Sequence, residues 1–117
     1  MAKLVNVVKP MVLENHETGK KITVEYNRNT IKRMDQEGVL SAAFIQRMQD
    51  SPLTTASELF YYGLLMHQPD MTREEADALL YDEIGLDEKI MERLGELFNA
   101  PYESMMSVRK NSAWTVK

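Results

Sequence analysis

Apolar and polar residues alternate at the N-terminal end of the chain, in a pattern that predicts a β-hairpin over about residues 4–26. The segments "KLVNVV" and "PMVLE" are rich in aliphatic and β-branched residues, and "KITVEY" places Ile22, Val24 and Tyr26 on one face. The segment "NHETGK" between them contains Gly19 and predicts the turn. Because Pro10 cannot donate a ladder hydrogen bond, we expect it at an edge or a break.

After the hairpin, apolar residues recur at helical spacing. Asn27 or Asn29 is expected to cap a first helix, which ends near Glu37, where Gly38 supplies a left-handed residue. The buried stripe of this helix consists of Ile31 and Met34. The segment "SAAFIQRMQD" predicts a second short helix, capped by Ser41. Its apolar side consists of Phe44, Ile45 and Met48.

The segment "SPLTTASELFYYGLLMHQP" predicts the most apolar helix, which we expect at the centre of the bundle. Ser51 is its expected cap, and Pro52 occupies the first helical position, where a missing N–H costs nothing. The stripe at helical spacing consists of Leu53, Ala56, Leu59, Phe60, Gly63, Leu64 and His67.

Two further helices are predicted, one over "MTREEADALLYDEIG" and one over "LDEKIMERLGELFNAP". The first begins with a capping box of Thr72 and Glu75 and stops at Gly85, and the second is capped by Asp87. Pro101 is expected to end or kink the second of these helices. Their buried stripes consist of Ala76, Leu79, Leu80 and Ile84 in one, and Ile90, Met91, Leu94, Leu97 and Phe98 in the other.

These elements predict an α+β fold, mostly α, in which an N-terminal β-hairpin packs on a bundle of four to five short helices. Residues 1–106 form the single predicted domain, with helices over about residues 28–106. Residues 107–117, "SVRKNSAWTVK", show no sustained period, so we expect a flexible tail or an arm that orders on a partner. Trp114 lies in this tail.

The composition, 44% hydrophobic and 27% charged in 117 residues, is that of an ordinary soluble globular protein. No apolar run has the length that a membrane span needs, and no signal-peptide pattern opens the chain, so we expect a cytoplasmic protein. The absence of cysteine excludes disulfides and thiolate chemistry. Nine methionines fit either a loosely specified core, which is favoured, or an adaptable binding surface.

Charge is distributed unevenly along the chain. Residues 1–33 carry seven basic and three acidic residues, a sum of +4, and residues 70–96 carry ten acidic and three basic residues, a sum of −7. This asymmetry indicates solvated faces or a head-to-tail attraction between copies. It argues against nucleic acid as a partner, because the basic residues are few and are not interleaved with aromatic residues.

Motifs for catalysis or metal binding are missing from the sequence. The acids of residues 70–96 fall on polar helix faces, and "DEIGLDEK" lacks the register of a calcium-binding loop. His16 and His67 are too far apart for a local metal motif, and no nucleophile elbow or Gly-rich phosphate loop occurs. We therefore predict a protein without enzymatic activity, catalytic residues, metal, cofactor or small-molecule substrate, which acts through its surfaces.

The succession of "YNRNTIKRM", "SPLTTASELFYYGLL", "TREEADALLYDEIG" and "LGELFNAPYESM" resembles the tail assembly chaperones of long-tailed bacteriophages and of prophages in Gram-positive bacteria. The resemblance covers roughly residues 20–106. It implies a non-enzymatic factor of the bacterial host cytoplasm that binds the tape measure protein, keeps it soluble, recruits tail tube subunits and self-associates. It also implies that a longer product can arise by a programmed frameshift.

On this hypothesis we expect the partner-binding surface on the last helix and its extension, at Leu94, Leu97, Phe98, Tyr102, Met105 and Met106. Apolar stripes of helices usually face inward, which favours a plain core role for the first three of these residues. The alternative function is a small regulatory DNA-binding protein, because short helices with a Gly turn can imitate a helix-turn-helix. The acidic helices disfavour it.

Overall fold

A computed structural model describes residues 9–40, 42–85 and 87–106. It confirms the α+β, mostly α, fold. The elements are β1 (Met11–Glu14), β2 (Lys21–Val24), α1 (Arg28–Gln36), α2 (Ala42–Asp50), α3 (Pro52–Leu65), α4 (Arg73–Ala78), a π-helical segment (Leu79–Ile84) and α5 (Glu88–Met106). The predicted strand "KLVNVV", the cap Ser41, and the tail with Trp114 lie outside the described residues, as do the side chains of Phe44 and Ile45.

The two strands form an antiparallel hairpin whose register pairs Met11 with Val24. The turn is held by Asn15, whose Oδ1 accepts hydrogen bonds from the backbone N–H of Glu17 at 2.8 Å and of Thr18 at 3.2 Å. Gly19 has a φ of 76°, a left-handed conformation that side-chain-bearing residues rarely adopt. The predicted inward face is confirmed, since Ile22, Val24 and Tyr26 are all buried.

The helix α3 is central, as predicted, and contacts β2 and the other four α-helices. Its backbone passes against β2, where the Gly63 carbonyl accepts a hydrogen bond from the Glu25 N–H at 2.9 Å. The Gln68 side chain continues this contact, because its amide bonds both the N–H and the carbonyl of Thr23 at 3.0 Å. The edge of β2 that faces away from β1 is therefore paired by α3 and the residues that follow it.

Most of the predicted helix boundaries coincide with observed caps. Of the two Asn candidates, Asn27 is the cap of α1, and its side chain accepts from the Thr30 N–H at 2.9 Å. The capping box of Thr72 and Glu75 is present at α4. Asp87 Oδ1 accepts from the Ile90 N–H at 2.9 Å, and Ser51 occupies the cap position of α3 without a side-chain capping bond.

One feature of the C-terminal half was not predicted: the segment Leu79–Ile84 is π-helical, and it ends at Gly85, whose N–H bonds the Leu80 carbonyl at 2.8 Å. The helix α5 continues through Pro101 to Met106, which agrees with the predicted helical range to residue 106. Of the two effects expected of Pro101, a helix end or a kink, the helix end is therefore wrong. An interior proline lacks the N–H that would bond the carbonyl four residues earlier, and its ring crowds that carbonyl, so α5 includes Pro101 at a local cost.

The core lies between the inner face of the hairpin, α3 and the buried stripes of the other helices. Its fully buried large side chains are Val24, Met34, Phe60, Tyr62, Leu64, Leu80, Leu94 and Phe98. Met11 and Met34 are the buried methionines of the described part of the chain. The other described methionines are half-buried or exposed: Met48, Met66, Met71, Met91, Met105 and Met106.

Candidate functional site

Three of the six residues predicted to bind a partner belong to the core. Leu94, Leu97 and Phe98 are 1%, 3% and 1% exposed, so they offer no surface to a partner of the folded chain. Their role is the plain structural one that the helical stripe also allowed. Among the six predicted residues, the three that follow Pro101 are the ones with exposed or half-buried side chains.

These three residues carry the apolar stripe of α5 from the core to the surface. The Tyr102 ring stacks on the Phe98 ring, with centroids 5.3 Å apart and an interplanar angle of 20°. Met105 is half-buried against the core, and Met106 is 68% exposed. Exposure therefore rises along the last turn of α5, which leaves an apolar surface at the end of this helix.

A second apolar surface lies between the helices and was not predicted. It is a groove of about 120 Å³, which we call the α3–α5 groove. Its floor comes from α3, and its walls come from Met48 of α2 and from α5. The full lining is Met48, Pro52, Thr55, Ala56, Leu59, Met91, Leu94 and Gly95.

The polar atoms in the floor of this groove already have partners. The Thr55 hydroxyl lies 3.0 Å from the Arg47 carbonyl oxygen and 2.9 Å from the Ser51 carbonyl oxygen, and it can donate to either. The single hydroxyl proton of Thr55 is therefore engaged by a carbonyl of the fold, and this side chain has no other donor to offer a ligand. The groove is thus suited to an apolar group such as an aliphatic side chain, and its size is close to that of engineered cavities of about 150 Å³ that bind small apolar molecules.

The largest polar cluster of the described residues joins α1, α3 and α4. The Arg73 guanidinium contacts the Glu58 carboxylate at 2.7 Å and 2.5 Å and the Tyr62 hydroxyl at 2.9 Å. It also lies 4.5 Å from the centroid of the Tyr61 ring. The Tyr62 hydroxyl donates to Glu37. The cluster ties three helices together.

Titration in this cluster is displaced away from neutral pH. Burial raises the pKa of Tyr62 to about 12, and the hydrogen bond to Glu37 acts in the same direction. The hydrogen bond from Tyr62, followed by that from Arg33, lowers the pKa of the Glu37 carboxyl. Neither group is therefore poised for proton transfer near pH 7, and the cluster is structural.

Another cavity of the described residues, of about 440 Å³, lies between the hairpin and the π-helical segment. Apolar Leu13, Ile22 and Leu79 share its lining with charged Glu17 and Lys20. His16 also lines it, whereas His67 lies at the end of α3, 2.7 Å from a carboxylate oxygen of Glu25. Within the described ranges, no three His, Asp or Glu side chains converge to form a metal site.

Fold and surfaces together define a small helical protein with a β-hairpin, an apolar groove and an apolar helix end. The chain belongs to the family DUF5055, a domain of unknown function, whose model matches residues 1–117. Comparison with curated proteins and with solved structures found no match. In the part of the chain that the structure describes, no helix has both the length and the apolar character needed to span a membrane.

The residues of the α3–α5 groove left only a weak signal in the sequence. Met48 and Met91 fall on helical stripes together with core residues, so spacing alone does not separate them from the core. Gly95, in the segment "RLGELF", is the one local irregularity, because glycine is a poor helix former. In the sequence, this surface could have been suspected only from Gly95, a glycine inside a predicted helix and away from any predicted turn.

Proposed function

We propose that this protein is a tail assembly chaperone of a long-tailed bacteriophage or prophage and acts in the cytoplasm of the bacterial host. In this role it binds the tape measure protein, keeps that long helical chain soluble, recruits tail tube subunits and associates with further copies of itself. The proposal combines the order of sequence segments that resemble this class with one structural observation. That observation is the apolar stripe of α5, which leaves the core at Tyr102 and is exposed at Met106.

The physical requirements of such a chaperone agree with this surface. A protein that coats a long helix must contact many different sequences, and the flexible thioether side chain of methionine adapts to different partners. Binding must also remain weak enough for tube subunits to displace the chaperone. A small apolar patch with few fixed polar contacts provides this, because affinity depends on packed anchors more than on area.

The experiment that tests the proposal is co-expression with a candidate tape measure protein. We expect the full chain to keep the tape measure protein in the soluble fraction and to co-purify with it. Met106→Glu should reduce the soluble yield without unfolding the chaperone, because the Met106 side chain is 68% exposed. Val12→Glu is the matched control, since Val12 is 56% exposed on β1 and lies outside the proposed surface.

Two results would count against the proposal. One is a tape measure protein whose solubility does not change when the wild-type chain is present. The other is an equal loss of soluble yield for the α5 variant and for the hairpin control, which would indicate nonspecific hydrophobic contact. A genomic neighbourhood of metabolic genes, without a large coiled-coil protein, would also argue against it.

A further inference from the structure

Within the described residues, neither a close contact nor a left-handed backbone conformation explains why residue 95 is a glycine. It lies in the middle of α5, and a Cβ added to it would meet no atom within 4 Å. Glycine inside a helix is destabilising relative to alanine, so the position carries a cost that the fold does not require. Gly63 is different, because a Cβ there would lie 2.6 Å from Cγ1 of Val24.

The position of Gly95 in the lining of the α3–α5 groove gives a reason for a glycine there. Gly95 and Met91 line the α3–α5 groove from α5, together with Met48 of α2 and with Ala56 and Leu59 of α3. Because glycine has no side chain, another backbone can approach α5 closely at this position, as it can at small residues where helices cross. The volume of about 120 Å³ admits one large aliphatic side chain from that backbone.

Acidic residues border the α5 wall of the groove. Glu88 precedes Gly95 by seven residues, or two helical turns, and therefore lies on the same face of α5. Glu92 lies between them, one step further around the helix and away from Leu94. Both glutamates are exposed. A partner bound at Gly95 therefore lies beside negatively charged side chains of α5.

We propose that the α3–α5 groove binds the apolar face of an amphipathic α-helix from another protein, with Lys or Arg residues along the border of that face. One aliphatic side chain of the partner fills the groove, and its backbone approaches α5 at Gly95. Its basic residues lie near Glu88 and Glu92. This inference goes beyond the proposed function, because it concerns a different surface and holds for any partner helix of this chemistry.

The test is a titration of the full chain with a designed peptide of about 20 residues, long enough to be helical in water. The peptide carries leucines on one face, lysines beside them, and a fluorescent label for anisotropy. We expect binding that weakens as salt concentration rises. A second peptide with glutamate in place of lysine should bind at least tenfold more weakly.

Gly95→Leu places a side chain into the α3–α5 groove from a position where an added Cβ meets no neighbouring element within 4 Å. We expect at least tenfold weaker peptide binding and a thermal unfolding midpoint no lower than that of the wild type. The double variant Glu88→Gln and Glu92→Gln should weaken binding and flatten the salt dependence. Its matched control is Glu14→Gln with Glu74→Gln, two exposed acids elsewhere on the chain, which should leave both unchanged.

The proposal is overturned if neither peptide binds, or if Gly95→Leu binds the lysine peptide as the wild type does. It is also overturned if Gly95→Leu alone shifts the emission of Trp114, because the occupant of the groove would then be the chain's own basic C-terminal segment. Peptide binding at the groove together with an insoluble tape measure protein would refute the chaperone function and leave this inference standing. Tape measure solubilisation that survives Gly95→Leu, without peptide binding, would do the opposite.

Discussion

Replacing Gly63 by alanine tests how closely α3 must approach the hairpin. The added Cβ would lie 2.6 Å from Cγ1 of Val24 and 2.9 Å from Cζ and the hydroxyl oxygen of Tyr26. Neither neighbour can move away cheaply. Val24 is fully buried and stiff at χ1, and the Tyr26 hydroxyl donates a buried hydrogen bond to the Leu59 carbonyl.

The expected magnitude follows from three opposing effects. Overpacking a buried site costs about 1–3 kcal/mol. Displacing the Tyr26 hydroxyl from the Leu59 carbonyl costs about another 1 kcal/mol. Alanine recovers about 1 kcal/mol of helix propensity relative to glycine. The free energy of unfolding should therefore fall by about 1–3 kcal/mol, and the unfolding midpoint by roughly 4 °C for each kcal/mol in a domain of this size.

The assay is thermal and urea unfolding followed by far-ultraviolet circular dichroism. Gly95→Ala is the matched control, because it makes the same chemical change in a helix where nothing lies within 4 Å of the new Cβ. It should raise the free energy of unfolding by about 0.5–1 kcal/mol. The reasoning fails if Gly63→Ala is neutral or stabilising, or if Val24→Ala in the Gly63→Ala background costs as much as it does alone.

Two further predictions concern polar contacts. Gln68→Leu leaves the half-buried backbone N–H and carbonyl of Thr23 without their partner, so urea unfolding should show a loss of about 1–3 kcal/mol, while the exposed control Gln49→Leu shows little change. The hydrogen bond from the Tyr62 hydroxyl holds the pKa of the Glu37 carboxyl below its value in the unfolded chain. The ionised carboxylate therefore stabilises the fold at pH values above the unfolded pKa, and this stabilisation is lost as pH falls through the folded pKa. Glu37→Gln should therefore be less stable than the wild type at about pH 7, and the difference in free energy of unfolding should shrink as the pH is lowered below the unfolded pKa of about 4. A difference that does not change with pH would contradict this assignment.

Local chemistry explains why much of the fold was predictable. A capping side chain acts within three residues of its own position, so Asn27, Thr72 and Asp87 could be recognised from their immediate neighbours. The hairpin followed from an aliphatic segment and an alternating segment on either side of a turn that contains Gly19. These signals depend on short-range sequence, which is fully available without a structure.

Features that depend on residues far apart in the chain were not predictable. The amide of Gln68 completes the edge of β2 across 45 residues, and no local pattern announces this contact. The π-helical segment holds Leu80 buried and Ile84 half-buried, where an α-helical stripe had been expected. The sequence likewise left open whether Pro101 ends or kinks the last helix; in the structure α5 continues, and Tyr102 stacks on Phe98 across this proline.

The two helical glycines show how folding and binding requirements differ in this chain. Gly63 and Gly95 each interrupt a helix, although the helical spacing places Gly63 on the apolar stripe and Gly95 beside it. Their surroundings separate them, because a side chain at Gly63 would enter the core and a side chain at Gly95 would enter the open groove. Substitutions at Gly95 can therefore raise the stability of α5 and still block the groove. If natural selection favoured stability alone, alanine would serve better at this position. The glycine is accounted for by a partner that needs the space.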